Sequence, residues 1–495
     1  MWYLLLLPLC LGLRDREPPL PTPDAHEGVS TGYVDVRTNH FDASNTDTFS
    51  MRYHYNGVYA GGNEPPIIIL VGGEWAISPQ WVAGGFPENL ASTIGGGLFY
   101  TEHRYYGETS PSNDTSVSEL RFLTVDQALA DLAQFIQIIK GDELYDGQYK
   151  NSKVVLLGCG YAGTMATWMR LAYPHLVYAA FSDSGPLQAQ EEFPEYLEVV
   201  TTALRGQGGE QCVTAIEDAI AVLEALLDTN SGVAAIQQMF NTCAAIQASS
   251  PLDRATFYWA ITEAFASLVQ YATPGDIAAA CDVLTDESEP NEVQRLANWI
   301  TSQSEDSCLE TRYSTMVEQN TNVSYDAPQA ATRLRTYQAC VEFGWYQTTN
   351  SSRQPFHDVI PVEFFHQICR DFFSTYFDET VLRAGIERTN LFFGGLGFLP
   401  DRVVSVAGGH DPWSPLGPNT NHATPLAPVY VVPEASHCQA LRRIGESENA
   451  ELERVKNEVM NWLSMWATGY PIFASAAGGL VACTLLLLAG VAAAL

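Results

Sequence analysis

The sequence predicts an α/β protein, in which a helical, disulfide-containing domain is inserted into a largely parallel sheet. Up to about residue 190, apolar runs of strand length alternate with stretches of helical periodicity, which is the pattern of a parallel sheet. The periodicity then becomes helical until about residue 391, after which strand-like runs return. We therefore expect a sheet domain from residues 30–190 and 392–466, with a helical insert at residues 191–391.

The individual elements follow from the apolar periodicity. Alternating polar and apolar residues at 32–56 indicate early antiparallel strands. Thr124-Val125-Asp126-Gln127 has the form of a capping box and predicts the start of a helix. A final helix is expected over residues 450–466. Further strands are predicted at residues 66–71, 97–100, 153–157, 178–182, 402–406 and 428–432.

The charge balance excludes some classes of function. The chain has 25 Lys and Arg against 57 Asp and Glu, a net charge of −32, which argues against binding nucleic acid or anionic membrane surfaces. Of its 10 cysteines, Cys10 and Cys483 lie in the apolar ends. The even number that remains predicts disulfides in a secreted chain. Six of these cysteines lie in the insert, and the pairing stays open among about fifteen connectivities.

The two ends of the chain predict export and attachment to a membrane. Residues 1–12 have the composition of a signal peptide, and the Pro-rich residues 17–23 would form a mobile start. Residues 467–495 form a hydrophobic anchor segment, which fits a removable glycolipid-anchor signal, a membrane span or a buried helix. We expect the secretory pathway, with membrane anchoring at the cell surface or in a lysosome-like compartment. Glycosylation sequons begin at Asn113, Asn322 and Asn350.

One Gly-rich turn carries the chemical interpretation. Gly158-Cys159-Gly160-Tyr161-Ala162-Gly163 follows a predicted strand and precedes a helix-like stretch, as in the G-x-S-x-G nucleophile elbow of α/β-hydrolases. Gly160 stands where that motif has its serine. Two late strands end in Asp411 and His437, in the order nucleophile, acid, histidine that is typical of this fold. The sequence therefore predicts an α/β-hydrolase core with a helical cap.

Several further stretches point to one family. They are Asn39-His40-Phe41, Thr101-Glu102-His103-Arg104-Tyr105-Tyr106-Gly107, Leu123-Thr124-Val125-Asp126-Gln127-Ala128-Leu129-Ala130-Asp131, Leu171-Ala172-Tyr173-Pro174-His175-Leu176, Tyr337-Gln338-Ala339-Cys340-Val341-Glu342-Phe343-Gly344-Trp345-Tyr346-Gln347-Thr348 and Gly409-His410-Asp411-Pro412-Trp413. Over about residues 32–466, the chain resembles the family of prolyl carboxypeptidase, dipeptidyl peptidase II and thymus-specific serine protease. The resemblance implies serine peptidases that cleave peptides next to proline.

The resemblance also implies roles for individual residues. Asp411 matches the triad acid and His437 the triad base, whereas Gly160 occupies the place of the nucleophile. The backbone N–H of Tyr161 and the loop at Gly73 match the oxyanion donors. No metal or cofactor is implied. Residues in the insert that would line a substrate pocket are Glu342, Trp345 and Tyr346.

The glycine leaves three functional hypotheses open, because it can neither attack a carbonyl nor be activated by His437. The first is a serine-carboxypeptidase-like protein that is catalytically inactive and keeps a cleft for peptides, including proline-containing ones. The second is an active exopeptidase or dipeptidyl peptidase that uses Cys159 or a water activated by His437. Thr164 lies too far along the helix to replace the serine. The third is a structural or adhesive surface protein whose cleft binds nothing.

Overall fold

A mixed eight-stranded sheet lies at the centre of the computed structural model, which describes residues 17–20, 28–303, 308–447 and 449–472. Its strand order is β1-β2-β4-β3-β5-β6-β9-β10, and β7 pairs with β8 in a separate two-stranded sheet. The strands are β1 (Val29–Arg37), β2 (Thr48–Asn56), β3 (Ile67–Val71), β4 (Gly97–Thr101), β5 (Val154–Cys159), β6 (Ala179–Asp183), β7 (Gln190–Glu192), β8 (Gly344–Tyr346), β9 (Val403–Gly408) and β10 (Val429–Val432).

The pairing confirms the predicted mixture of strand directions. β1 pairs antiparallel with β2, and β2 pairs antiparallel with β4. The six strands from β4 to β10 in the sheet order are parallel. All five residues of β3 are buried, as expected for a continuous apolar strand that is covered on both faces. Because the strands are parallel, their carboxyl ends meet at one edge of the sheet.

Helices cover both faces of the sheet. One face packs against α3 and α4, and the other packs against α1 and α14. The helices are α1 (Gly85–Ile94), α2 (Val117–Leu120), α3 (Val125–Ile139), α4 (Tyr161–Ala172), α5 (Glu195–Leu227), α6 (Asn230–Met239), α7 (Pro251–Gln270), α8 (Asp276–Leu284), α9 (Glu292–Ser302), α10 (Tyr313–Asn320), α11 (Ala330–Gln338), α12 (Val362–Phe372), α13 (Glu379–Phe393) and α14 (Ala450–Thr468). This is the α/β-hydrolase architecture that the sequence predicts.

Helices α5–α13 form the predicted helical region and have an apolar core of their own. Three disulfides lie within this region, and a fourth joins the end of β5 to the loop after β10 in the sheet domain. The pairing that the sequence left open is Cys212–Cys281, Cys243–Cys308, Cys340–Cys369 and Cys159–Cys438.

The predicted capping box at the start of α3 is wrong. Thr124 is the N-cap residue, but its side chain makes no capping hydrogen bond. The Gln127 side chain instead contacts Asn39 and the His40 backbone. The N–H of Val125 donates to both carboxylate oxygens of Glu342, at 3.1 and 3.0 Å. A distant carboxylate from the cap thus satisfies the helix terminus, which the local motif could not reveal.

The termini differ in part from expectation. The predicted signal peptide at residues 1–12 and residues 473–495 of the predicted anchor lie outside the described residues. None of the helices within the described ranges is long and apolar enough to cross a membrane. Residues 17–20 pack against the sheet domain rather than forming a mobile start, since Glu17 and Pro18 both make hydrogen bonds to it. The side chains of Asn113, Asn322 and Asn350 are exposed, and their glycosylation stays a prediction.

Candidate active site

The Gly-rich turn between β5 and α4 has the geometry of a nucleophile elbow. Gly160 has φ 55° and ψ −127°, and Tyr161 begins the helix directly after it. The strand and the helix approach so closely that a Cβ on Gly158 would lie 2.2 Å from the carbonyl oxygen of Ala162. Gly158 is therefore required by packing, and Gly160 adopts a backbone conformation that side chains other than hydrogen enter only with strain.

Asp411 and His437 lie at the same edge of the sheet, in the loops after β9 and β10. His437 Nδ1 is 2.9 Å from Asp411 Oδ1, which also accepts a hydrogen bond from the backbone N–H of Trp413. The Asp411 side chain is completely buried. This pairing orients the imidazole so that Nε2 faces the elbow. A Cβ built on Gly160 would lie 3.0 Å from His437 Nε2, so these two residues face each other directly.

The loop that carries His437 is fixed on several sides. A disulfide joins Cys438 to Cys159, the residues that immediately follow His437 and precede Gly160. The backbone N–H of Cys438 donates to Ser184 Oγ, and that of His437 donates to the carbonyl oxygen of Gln270 in the cap. The elbow and the base are thus held together covalently. Cys159 is not a candidate nucleophile in this state, because its sulfur is part of a disulfide.

Asp183 anchors the same loop from the end of β6. Its Oδ2 accepts a hydrogen bond from the N–H of Leu441 at 3.0 Å. Burial raises the pKa of the Asp183 carboxyl to about 7, although this N–H and the neighbouring His437 favour the charged form. The group therefore changes charge close to neutral pH, beside the Asp411–His437 pair.

The predicted oxyanion donors lie at the expected elements. Tyr161 is the first residue of α4, so its N–H belongs to the first-turn amides that have no partner within the helix. Gly73 lies in the loop after β3. The Tyr161 hydroxyl reaches away from the elbow and accepts a hydrogen bond from Gln338 Nε2 of the cap at 3.1 Å. Tyr161 thus connects the elbow to the helical domain through its side chain.

Two adjacent cavities open at this site. The first has Gly160 and His437 in its walls, and the second, which is larger, extends between the cap helices. Both share the side chains Glu74, Arg335, Trp345 and Trp413. Arg335 Nε lies 3.5 Å from Glu74 Oε1, so an ion pair joins the cap to the loop after β3. The two cavities therefore adjoin each other at these four apolar and charged side chains, and together we call them the cleft.

Of the three residues predicted to bind substrate, two lie in the cavity walls and one does not. Trp345 lies in the walls of both cavities, and Tyr346 lies in the wall of the larger one. The side chain of Glu342 is buried against the N-terminus of α3, and Glu342 is absent from the described walls of both cavities. Burial and the nearby Asp126 raise the pKa of its carboxyl to about 8. Its contacts give Glu342 a capping role instead of a role in the cleft.

Sequence reasoning missed the part of the cap that touches the base. The Gln270 side chain accepts hydrogen bonds from Trp413 Nε1 and from the Tyr196 hydroxyl, while its carbonyl oxygen holds the backbone of His437. Tyr271 follows it, and its ring lies 6.3 Å from the His437 imidazole in an edge-on arrangement. Neither residue stands in a recognisable motif, because both lie at the end of an ordinary cap helix.

The site offers little for a metal ion in its present state. Cys159, His437 and Cys438 bring their potential ligand atoms within 4.8 Å of one another. The two sulfurs are bonded to each other, however, and a metal needs thiolates. Thr164, which also lies near the elbow, is not positioned as a nucleophile either, because its hydroxyl donates a hydrogen bond to the carbonyl oxygen of Pro186 at 2.6 Å.

The fold and the site define an α/β-hydrolase with an Asp–His pair at its elbow. The chain belongs to the serine carboxypeptidase S28 family, whose model matches residues 36–459. It is 28% identical over 451 residues to a thymus-specific serine protease of Mus musculus, which covers 87% of each chain. It is 31% identical over 231 residues, 46% of each chain, to a lysosomal Pro-X carboxypeptidase of Homo sapiens. Among solved structures it is similar to a proline iminopeptidase of Mycobacterium smegmatis, with a TM-score of 0.37 and 14% identity over 88% of this chain and 99% of that one.

Proposed function

We propose that this protein is a member of its serine peptidase family that binds peptides in the cleft beneath its cap and does not hydrolyse them at a useful rate. One observation carries the proposal. The residue that faces His437 Nε2 across the elbow is Gly160, which has no side chain. In a well-studied hydrolase, loss of one triad residue lowers kcat by about 10⁴–10⁶-fold.

The neighbouring nucleophiles do not replace the missing serine. Cys159 is bonded to Cys438, and the Thr164 hydroxyl is directed to Pro186. In addition, neither residue occupies position 160, which faces His437 Nε2: Cys159 precedes it and Thr164 follows it in the sequence. A thiolate at Cys159 would require reduction of a buried disulfide in a compartment that favours oxidation.

The walls of the cleft suit a short peptide. Trp345 and Trp413 supply aromatic surface, on which a proline ring packs well. Glu74 and Arg335 lie in the same walls and carry opposite charges. They complement the amino and carboxyl ends of a peptide by direct ionic hydrogen bonds. We further propose that the protein acts in the secretory pathway, anchored through residues 467–495 at the cell surface or in a lysosome-like compartment.

The second candidate function is slow peptide hydrolysis by water. The intact Asp411–His437 pair favours it, because an imidazole with a free Nε2 can act as a general base. In this case the water would occupy the space of the missing serine side chain. His437→Ala would then abolish the measured turnover, and Asp411→Asn would reduce it strongly.

The test combines turnover and binding on the purified full chain. We expect no cleavage of Pro-Xaa peptides above background and no labelling by a fluorophosphonate. We also expect a rise in Tm with peptide concentration, since a ligand that binds only the folded state stabilises it. Trp345→Ala should abolish that rise. The matched control is Trp462→Ala, another partly buried tryptophan, whose indole N–H bonds to Tyr430 on β10. Turnover at rates typical of active peptidases, or no peptide-dependent rise in Tm, would contradict the proposal.

A further inference from the structure

Residues 17–20 lie against the candidate active site. Pro18 is part of the wall of the cavity that contains Gly160 and His437. It also lines a second, smaller cavity, together with Trp75, Trp81 and Tyr100. This segment precedes β1 in the chain, so the protein supplies one wall of its own cleft from a short N-terminal peptide.

Three of the four residues in this segment make specific contacts with the sheet domain. Glu17 Oε1 accepts a hydrogen bond from the backbone N–H of Ser78 at 2.9 Å. The carbonyl oxygen of Pro18 accepts one from the indole N–H of Trp81 at 3.0 Å. Leu20 is partly buried against the apolar cluster beneath α1 and α14. Pro19 alone is exposed.

These contacts have the chemistry of peptide recognition. A backbone N–H donates to a carboxyl oxygen of Glu17, an indole N–H donates to the carbonyl oxygen of Pro18, and Pro18 lines a cavity together with three aromatic side chains. From this geometry we infer that residues 17–20 are a tethered ligand of the cleft, and that the surface beneath them is a subsite for peptides containing an acidic residue followed by proline. The inference rests on the proposed peptide-binding role of the same site and names the class of sequence that it takes.

Because residues 17–20 are covalently attached to the protein, they occupy the proposed subsite in preference to a free peptide. A segment that is covalently attached near its site has an effective concentration in the millimolar range. A free peptide of the same sequence must therefore compete with it, and binding should become tighter once the segment is removed from the surface.

The charge of Glu17 gives this contact a pH dependence. Burial raises the pKa of the Glu17 carboxyl from 4.5 to about 7, opposed by hydrogen bonds from Ser78 and Tyr100 and by the charge of Arg52. Arg52 is itself paired with Glu102 and Glu108. Because docking of the protonated carboxyl costs least, docking is strongest below pH 4.5 and weakens as the pH rises from there through about 7.

The first experiment measures docking by hydrogen exchange on the full chain. Replacing residues 17–20 with Gly-Ser-Gly-Ser should accelerate exchange of the Ser78 amide at pH 5 at least about tenfold, because it removes the acceptor. Pro18→Ala should accelerate it in part, whereas Pro19→Ala is the matched control and should not. Glu17→Gln keeps an acceptor without a charge, so its protection should not fall between pH 5 and pH 7. Equal exchange in the wild type and the Gly-Ser-Gly-Ser variant would overturn the inference, as would a purified protein that lacks Glu17 by mass spectrometry.

The second experiment measures the subsite with a labelled peptide, Arg-Glu-Pro-Pro-Leu. The Gly-Ser-Gly-Ser variant should bind this peptide at least about tenfold more tightly than the wild type does. The same variant should bind the scrambled peptide Pro-Leu-Arg-Pro-Glu less tightly than the labelled peptide. Adding Trp81→Phe to the Gly-Ser-Gly-Ser variant removes the indole donor and should weaken its binding of the labelled peptide. Equal binding of the two peptides would refute the subsite. Hydrolysis of Pro-Xaa peptides by the wild type would refute the proposed function while leaving the exchange result untouched.

Discussion

The substitution Gly160→Ser tests whether the elbow still fits the rest of the machinery. Two features of the structure determine its cost. A serine at φ 55° occupies a sparsely populated backbone region, which costs about 1–3 kcal/mol. The added Cβ would lie 3.0 Å from His437 Nε2, where ordinary contact begins at 3.4 Å, so the imidazole must move by ~0.4 Å. That movement is resisted by Asp411 and by the disulfide at Cys438.

We therefore expect Gly160→Ser to lower the free energy of unfolding by about 1–3 kcal/mol in a denaturant titration. The new hydroxyl would lie beside Nε2, and we expect the variant to react with a fluorophosphonate although the wild type does not. The matched control is Gly160→Ala, which introduces the same strain and the same Cβ without a nucleophile. It should lose the same stability and remain unlabelled.

Three results would refute this reasoning. A Gly160→Ser protein as stable as the wild type would mean that the elbow is not strained and that His437 has room to spare. Labelling of Gly160→Ala would place the reactive group elsewhere. A folded Gly160→Ser protein that never reacts would show that Asp411, His437 and the oxyanion donors no longer form a working set.

Three further predictions concern the disulfide, the buried carboxyls and the ion pair of the cleft. The double variant Cys159→Ala/Cys438→Ala should lose about 3–5 kcal/mol of stability, because the bridge closes a loop with a sequence separation of 279. It should also weaken peptide binding, whereas Cys243→Ala/Cys308→Ala in the cap should destabilise without changing binding. The pKa values of Glu17, Asp183 and Glu342 are raised by burial from 4.5, 3.8 and 4.5 to about 7, 7 and 8, so their stabilising effect is complete only below the ordinary values and is lost as the pH rises through the raised ones. Tm should fall from pH 5 to pH 8, and Glu342→Gln should flatten part of that fall; a Tm that rises over this range would contradict the assignment. Amidation of a peptide's carboxyl end should weaken binding up to about tenfold, since it removes an ionic hydrogen bond to Arg335, and Arg335→Met should bind both forms equally.

Much of the sheet, and the meeting of Asp411 and His437 beside Gly160, could be predicted from the sequence, because local patterns encode them. The run at Ile67–Val71 is apolar throughout because both its faces are buried, and Gly158 is a glycine because the helix leaves no space for a Cβ. The order of Asp411 and His437 along the chain follows from the order of the strands that carry them. Such features need only a few neighbouring residues to be recognised.

The contacts between distant segments could not be predicted in this way. Cys159 and Cys438 meet because the end of β5 and the loop after β10 lie at one edge of the sheet, and neither cysteine has a local signal for its partner. Glu342 is predicted to line the pocket because it lies in the insert stretch that resembles the family's cap, yet its carboxylate accepts a hydrogen bond from the N–H of Val125 at the start of α3. Gln270 and residues 17–20 reach the site from parts of the chain that carry no catalytic motif.

Glycine at the elbow and the disulfide beside it have a common mechanical effect. Glycine removes the strain that a serine would store at φ 55°, and it lets His437 Nε2 lie closer to the turn than a Cβ would allow. The bridge from Cys159 to Cys438 then fixes the base at that short distance. Acyl transfer needs an imidazole that exchanges its proton between a nucleophile and a leaving group, and therefore needs space on the Nε2 side. A relaxed turn with no space for a Cβ beside Nε2 supports our proposal that this protein binds peptides.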